Sequence, residues 1–291
     1  MPGSVQEVEG PFFIVIEGID GSGKGTQAQY LYDFVKRTYP HLNPVLTSEP
    51  TRTGSGKLLR QFLKEDVLEP QALALLFAMD RLQHVCETIL PNLKLGRCVI
   101  SERYVYSSLV YQSVSGADLA WVTEINKFAV IPDLMIYLDV PPEESRKRVI
   151  SRLEKDRRYR KDGQKRELEF FEKHESFLSF HEETAAMFRD LVDKKLDITL
   201  KSGGTKFPNF ADTNLASVDG LPLAKLVHPH IASLAEKLLL GELPRITNKY
   251  DYSLVPTSSL DVFRKSAPWL QEFVNTRKKD KVEAGVQTTL G

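Results

Sequence analysis

The sequence predicts a three-layer α/β/α fold around a mostly parallel five-stranded sheet. Three observations predict it. Short apolar runs rich in β-branched and aromatic residues, such as 11–17 (PFFIVIE) and 134–140 (LMIYLDV), read as strands buried on both faces. Longer stretches of helical composition separate those runs, which demands crossover connections and therefore parallel pairing. The first run also passes through a glycine-rich loop directly into a helical pattern.

Each element follows in order. After a polar lead, residues 11–17 form the first strand, and Gly18 to Gly25 the loop. Thr26 to Tyr39 carries Leu31, Phe34 and Val35 at helical spacing, and Pro40 stops it. Pro44 to Thr47 is the second strand. Gln71 to Leu95 is a long helix whose apolar stretch, Leu73 to Met79, is expected to be buried. Arg97 to Ser101 and Leu134 to Val140 are the third and fourth strands. Glu143 to Leu153 and Arg166 to Lys195 are helical by composition. Phe207 to Ala211 is expected as the last strand and Gly220 to Leu240 as the last helix.

From Gly241 the pattern changes. Pro244, Pro256 and Pro268 recur and no strand signal is left. Short helices are expected at Leu260 to Lys265 and Trp269 to Thr276, with disorder from Arg277 to Gly291. The chain therefore divides into a body over 1–240 and an extension over 241–291 whose role the sequence does not disclose.

Composition excludes several classes. The chain has 291 residues, 42% hydrophobic and 27% charged, which is ordinary for a folded soluble protein and not for a disordered one. Lys plus Arg and Asp plus Glu number 39 each, so no basic excess points to nucleic acid or an anionic membrane. Cys86 and Cys98 cannot build a disulfide scaffold, and a reducing cytoplasmic setting is expected. The longest apolar run, Ala72 to Met79, falls far short of the roughly 20 residues of a spanning helix. No basic region precedes an apolar stretch at the N-terminus, so no signal peptide is expected.

Gly18 to Lys24 (GIDGSGK) matches G-x-x-x-x-G-K after a strand and before a helix, the context this phosphate-binding motif requires. Gly18, Ile19, Asp20, Gly21, Ser22, Gly23, Lys24, Gly25 and Thr26 would line a nucleotide's phosphates. The backbone N–H groups and the helix N-terminus attract anions, and Lys24 adds a point charge for the β- and γ-phosphates. A dinucleotide reading fails, because the spacing is not G-x-G-x-x-G. One departure stands out. Gly25 follows Lys24 where a magnesium-ligating Ser or Thr is usual, and Thr26 comes next. Adenylate kinase has the same G-K-G-T-Q, so a metal can be held mainly by phosphates and water.

The accumulated blocks resemble the thymidylate kinase family, a phosphate-loop kinase type. The blocks are Ile16 to Gln27 (IEGIDGSGKGTQ), Ser48 to Thr51 (SEPT), Leu75 to Arg81 (LLFAMDR), and Glu102-Arg103-Tyr104 through Ser107-Ser108 to Tyr111-Gln112. An arginine-rich segment follows the LMIYLDV strand, as the family's lid does. Together the blocks span roughly residues 12 to 240 in order. The resemblance implies ATP-dependent phosphorylation of dTMP to dTDP with Mg2+, and a homodimer. It implies that Phe77 stacks on the base, Arg81 donates to the base O4 edge, and Arg103 grips the acceptor phosphate. Ser108 and Gln112 belong to the same acceptor block. Tyr111 would pack against the sugar where a 2′-OH would sit, or serve the core alone. Asp20 would contact the acceptor sugar or the reacting phosphate. Glu49 would hold the acceptor or a metal, or be an ordinary loop carboxylate.

A second departure is Glu102, where the family usually has Asp. A Glu at this strand end suits a carboxylate that orients magnesium water, and also the base of a deoxynucleoside kinase. Ser145 to Arg166 holds eleven basic and three acidic residues, a net +8 over 22 residues. A solvated helix, a nucleic-acid patch and a lid over ATP compete for it. Aromatic interleaving is limited to Tyr159, and the charge developing on the transferred phosphoryl group calls for an arginine that the loop itself lacks, which favours the lid over about 145–166. Arg152 and Arg157 are the expected catalytic arginines, with Arg148 and Arg160 next. Two alternatives remain: another small-acceptor phosphate-loop kinase, including a deoxynucleoside kinase, and a catalytically weak nucleotide-binding paralogue.

Overall fold

The computed structural model describes residues 8–65, 68–157, 175–196, 210–221 and 224–246. Five parallel strands, β1 (Phe12–Glu17), β2 (Val45–Ser48), β3 (Cys98–Glu102), β4 (Leu134–Asp139) and β5 (Asn214–Asp219), form one sheet in the order β2-β3-β1-β4-β5. The helices are α1 (Lys24–Thr38), α2 (Gly54–Glu65), α3 (Pro70–His84), α4 (Leu90–Lys94), α5 (Val105–Val114), α6 (Leu119–Ile125), α7 (Pro142–Arg157), α8 (Glu175–Val192) and α9 (Ala224–Leu239).

β1 is buried at every residue because both faces of the sheet are covered. Its side chains alternate between two cores. Phe12, Ile14 and Ile16 join Leu31, Val35, Ile231 and Leu238 beneath α1 and α9. Phe13 and Val15 join Tyr104, Leu109, Tyr137 and Phe188 beneath α5 and α8. All five strands point the same way, so their carboxyl ends share one edge, the edge where open α/β sheets bind ligands.

Three expectations need correction. The last strand among the described residues is Asn214–Asp219; of the expected Phe207 to Ala211, Phe210 and Ala211 are described and belong to a short 3₁₀ turn, Phe210–Asp212, leading into it. Phe210 is apolar because it fills the core against Tyr106, not because it sits in the sheet. The long helix expected over Gln71 to Leu95 is interrupted by a π turn at Val85–Ile89. Pro91, which cannot donate to the carbonyl of Glu87, lies just beyond it. Within the apolar stretch Leu73 to Met79, Leu75 and Met79 are 53% and 40% exposed, so the stretch is only partly buried.

The described start of the extension lies against the body. Ile246 N donates to Asp133 Oδ1 (2.6 Å), Asn214 Nδ2 donates to the carbonyl of Pro244 (2.8 Å), and Arg245 stacks over Phe12 and donates to the carbonyl of Glu9. The helices expected at 260–265 and 269–276 lie outside the described residues.

Candidate active site

The loop between β1 and α1 takes the shape its sequence predicts. Gly23 caps α1 with φ 91°, a left-handed conformation that costs glycine little. Lys24 opens the helix, and its buried ammonium donates to the carbonyl of Ile19 (3.2 Å) and lies 3.5 Å from Asp20 Oδ1. Burial, reinforced by the nearby Arg103 charge, pushes Lys24 down to about 8, against the opposing pull of Asp20, Glu102 and Glu17. Among the described residues the buried Ser22 hydroxyl has no hydrogen-bond partner, as a donor reserved for a bound anion would. Ser145, in the first turn of α7, is fully buried and donates to the carbonyl of Asp20, so α7 braces the loop.

Asp20 is half exposed and accepts a 2.5 Å bond from Arg103 Nη2. Crowding by protein would raise its carboxyl, but Arg103, then Lys24 and His181, hold it well below the usual carboxylate range. Arg103 sits between β3 and α5 with φ 64°, an uncommon conformation for a residue with a Cβ. Its N–H donates to the carbonyl of Ile16 (3.0 Å), and its carbonyl accepts from Ser101 Oγ (2.7 Å). Its guanidinium lies 5.2 Å from the Tyr111 ring centroid, and Nη1 donates to Ser107 Oγ (3.1 Å). Tyr111 is half-buried and also touches the rings of Phe180 and Phe188.

The two departures in the sequence meet here. A methyl group added to Gly25 would come within 2.9 Å of Glu102 Oε2. The longer carboxylate thus occupies the space that a Ser or Thr side chain after Lys24 would need. Among the described residues no group of three His, Cys, Asp or Glu could cage a metal. One carboxylate beside a phosphate loop fits a cation that keeps waters and phosphate oxygens as its other ligands.

A second cluster lies beneath β2 and α3. Glu49 and Arg81 are both buried, with Arg81 Nη2 2.8 Å from Glu49 Oε2. Arg81 also donates to Asn126 Oδ1 (2.5 Å), Ser108 Oγ (2.9 Å) and the carbonyl of Tyr104 (3.2 Å). His84 joins Glu49 (3.0 Å) to Thr47 (2.6 Å). Beside it, buried Asp80 accepts from Thr51 N, Thr51 Oγ1 and Ser55 Oγ at 2.6–2.7 Å, fixing the segment after Pro50. Phe77 is half-buried and Gln112 buried.

The sequence-predicted residues therefore fall into two groups. Asp20, Lys24, Glu102, Arg103 and Tyr111 converge at the loop, while Glu49, Arg81 and Ser108 form the buried cluster. Arg148 is engaged elsewhere, donating to Glu144 and to the carbonyls of Gly220 and Leu221. Arg152 is exposed on α7. The side chain of Arg157, and Arg160 altogether, lie outside the described residues.

Sequence reasoning missed Glu17, Ser107, Asp80 and Ser145. Glu17 is fully buried at the end of β1 and accepts from Tyr104 N (2.8 Å), Ser107 N (3.0 Å) and Ser107 Oγ (2.6 Å). Burial raises its carboxyl despite the opposing Arg103 charge. A carboxylate inside an apolar run was the available signal, since a buried charge requires partners. A cleft of about 370 Å³ opens between the loop, α7 and α9, lined by Ser22, Thr26, Gln27, Arg148, Leu221 and Val227. It is large enough for part of a small ligand.

The family model described as thymidylate kinase matches residues 16–195. The chain belongs to the thymidylate kinase family. A probable thymidylate kinase of Thermococcus onnurineus is 51% identical over 150 residues, covering 48% of this chain and 72% of that protein. One of Thermococcus kodakarensis is 49% identical over 150 residues, with the same coverage. The crystal structure of thymidylate kinase from Ehrlichia chaffeensis shares the fold with a TM-score of 0.55 at 23% identity, covering 78% of this chain and 99% of that one. The family match runs through the loop, the Glu49–Arg81 cluster and Arg103, and ends before the extension.

Proposed function

We propose that this chain phosphorylates dTMP to dTDP with ATP. The observation that carries the reading is the junction of a buried phosphate-loop lysine with Arg103 through Asp20, within a chain of this family. Two anions must be brought together against their repulsion, and each meets a cation here. ATP phosphates lie along the loop N–H groups and Lys24, with the nucleoside in the cleft beside Arg148. The acceptor phosphate lies on Arg103, which gives two donors to Asp20 and Ser107 and has five in all. Phe77 stacks on the base, Tyr111 packs against the sugar, and Gln112 and Ser108 shape the acceptor wall. Arg81, expected to donate to the base O4 edge, directs its donors instead to Glu49, Asn126, Ser108 and the carbonyl of Tyr104, and its role is to hold Glu49 and Ser108 in place.

An acceptor phosphate oxygen attacks the γ-phosphorus as its bond to ADP breaks. Asp20 orients Arg103 at the start of that transfer. Arg152 and Arg157 come from the lid to meet the charge that develops on the γ-phosphoryl group. Glu102, together with phosphate oxygens and water, would hold Mg2+, which would supply charge neutralisation. The exposed Leu58, Leu63, Leu75 and Met79 of α2 and α3 suit a homodimer face. No helix among the described residues is long and apolar enough to cross a membrane. Two cysteines are too few for a disulfide scaffold, and on that ground our reading is a cytoplasmic setting.

A coupled ADP-release assay with dTMP, dUMP, UMP, AMP and thymidine tests the reading. Turnover fastest with dTMP is expected. Faster turnover of thymidine would establish a nucleoside kinase instead, and ATP binding without turnover of any acceptor would establish a nucleotide-binding paralogue.

A further inference from the structure

Arg103 is held in an uncommon backbone conformation at the mouth of the site, and what fixes its guanidinium is a chain of hydrogen bonds from beneath the loop. Glu17 Oε2 accepts from Ser107 Oγ at 2.6 Å. With its proton directed at Glu17, Ser107 Oγ presents lone pairs outward, and one accepts from Arg103 Nη1 at 3.1 Å. Arg103 Nη2 then reaches Asp20 Oδ1 at 2.5 Å. The same Glu17 accepts from Tyr104 N and Ser107 N, so it also stands in for a cap at the N-terminus of α5. One buried carboxylate thereby fixes both the helix that carries Ser107 and the orientation of its hydroxyl.

We propose that Glu17, acting through Ser107, is a positioning residue for the arginine that receives the acceptor phosphate. The proposal rests on the dTMP kinase reading for its substrate. The hydroxyl is the element that makes it a relay. A serine merely filling space could be replaced by alanine at no cost to Arg103. A serine whose proton is directed at Glu17 cannot, because that orientation turns a lone pair of its oxygen toward Nη1. Glutamine at position 17 offers a donor toward Ser107 where the carboxylate offers an acceptor, and the hydroxyl orientation is lost.

The experiment is a mutant cycle on the full chain, read as KM for dTMP and for ATP and as dTMP binding by calorimetry. Ser107→Ala is expected to raise the dTMP KM about tenfold, the usual weight of a hydrogen bond to a charged group, and to leave the ATP KM within about twofold. Ser107→Thr, which keeps the hydroxyl, is expected to restore the dTMP KM to within about threefold. Glu17→Gln is expected to match Ser107→Ala. In an Arg103→Ala background, Ser107→Ala is expected to add less than about twofold. Effects that multiply in that background, or a Ser107→Ala enzyme with an unchanged dTMP KM, overturn the proposal. Should Glu17→Gln fail to fold, the Ala and Thr variants of Ser107 still decide it. A crystal structure of ligand-free Ser107→Ala gives a readout independent of substrate. Arg103 leaving Asp20 supports the relay, and an Arg103 superimposing on the wild type sinks it, whatever the acceptor proves to be.

Discussion

Arg81 and Arg103 each lie against a carboxylate, yet their surroundings differ. The Arg81 side chain is 2% exposed, and Glu49, Asn126, Ser108 and Tyr104 surround it; Glu49 is also buried. The Arg103 side chain is 16% exposed against an Asp20 that is 50% exposed. The first pair is enclosed, so its charges depend on each other for solvation. The second opens onto solvent at the carboxyl edge, where a phosphate can displace water and use donors that protein has not taken. An enclosed pair confers rigidity and an open one leaves donors for a ligand, although the two look alike in sequence as an arginine and an acid far apart in the chain.

Two truncations break that comparison if it is wrong. Arg81→Ala leaves Glu49 buried without its cation, and about 3–5 kcal/mol of stability is expected to be lost, enough to lower Tm by roughly 10 °C or more. Arg103→Ala exposes an Asp20 that water already reaches, so a loss under about 1 kcal/mol is expected. Its kcat/KM for dTMP should fall by about 10²-fold or more, because a charge-assisted phosphate contact is gone. Thermal melting and steady-state kinetics on both variants check this together. Equal Tm losses would erase the distinction.

A smaller effect sharpens the open side. Gly25→Ser restores the residue usual after the loop lysine but drives a side chain toward Glu102 Oε2, 2.9 Å from the Cβ position. Overpacking of this kind costs roughly 1–3 kcal/mol. Glu102→Asp withdraws the carboxylate by one methylene, so Gly25→Ser/Glu102→Asp is expected to recover stability and activity lost by Gly25→Ser alone. Independent, additive losses in denaturant melts would show that the two positions do not share the space.

How much of this was legible follows from range. The loop, β1 and α1 could be read because glycine spacing and strand composition act within a few residues. Fold class followed from the same local periodicity. The last strand lies beyond its expected place because Phe210 is apolar for a tertiary reason, its contact with Tyr106. Lys24 follows from the loop motif, and Asp20, Glu102 and Arg103 from the family resemblance; the structure brings the four together. Glu17 went unassigned because its partners, Tyr104 and Ser107, lie about 90 residues away. The link between Gly25 and Glu102 was likewise invisible, since each appeared as a separate departure. Chain position carries no sign of an ion pair such as Arg81 with Glu49, closed or open.

Lys24 provides the finest test of the open cluster. An unfolded lysine keeps its proton up to about 10.5, whereas in the fold burial and Arg103 push Lys24 down to about 8. Between those values the unfolded chain binds more protons, so this residue makes the free protein more stable as pH rises from about 8 towards 10.5, and burdens it below. A polyphosphate on the loop reverses the balance, because its negative charge favours the ammonium. ATP binding at pH 8 is therefore expected to take up a fraction of a proton, falling to nothing from this residue near pH 6. Calorimetry in two buffers of different ionisation enthalpy measures that uptake, and Lys24→Met should abolish it. An uptake that survives in Lys24→Met would assign the proton elsewhere. No uptake in the wild type would mean that Lys24 already holds its full charge, and that the loop is as closed electrostatically as the Arg81 cluster.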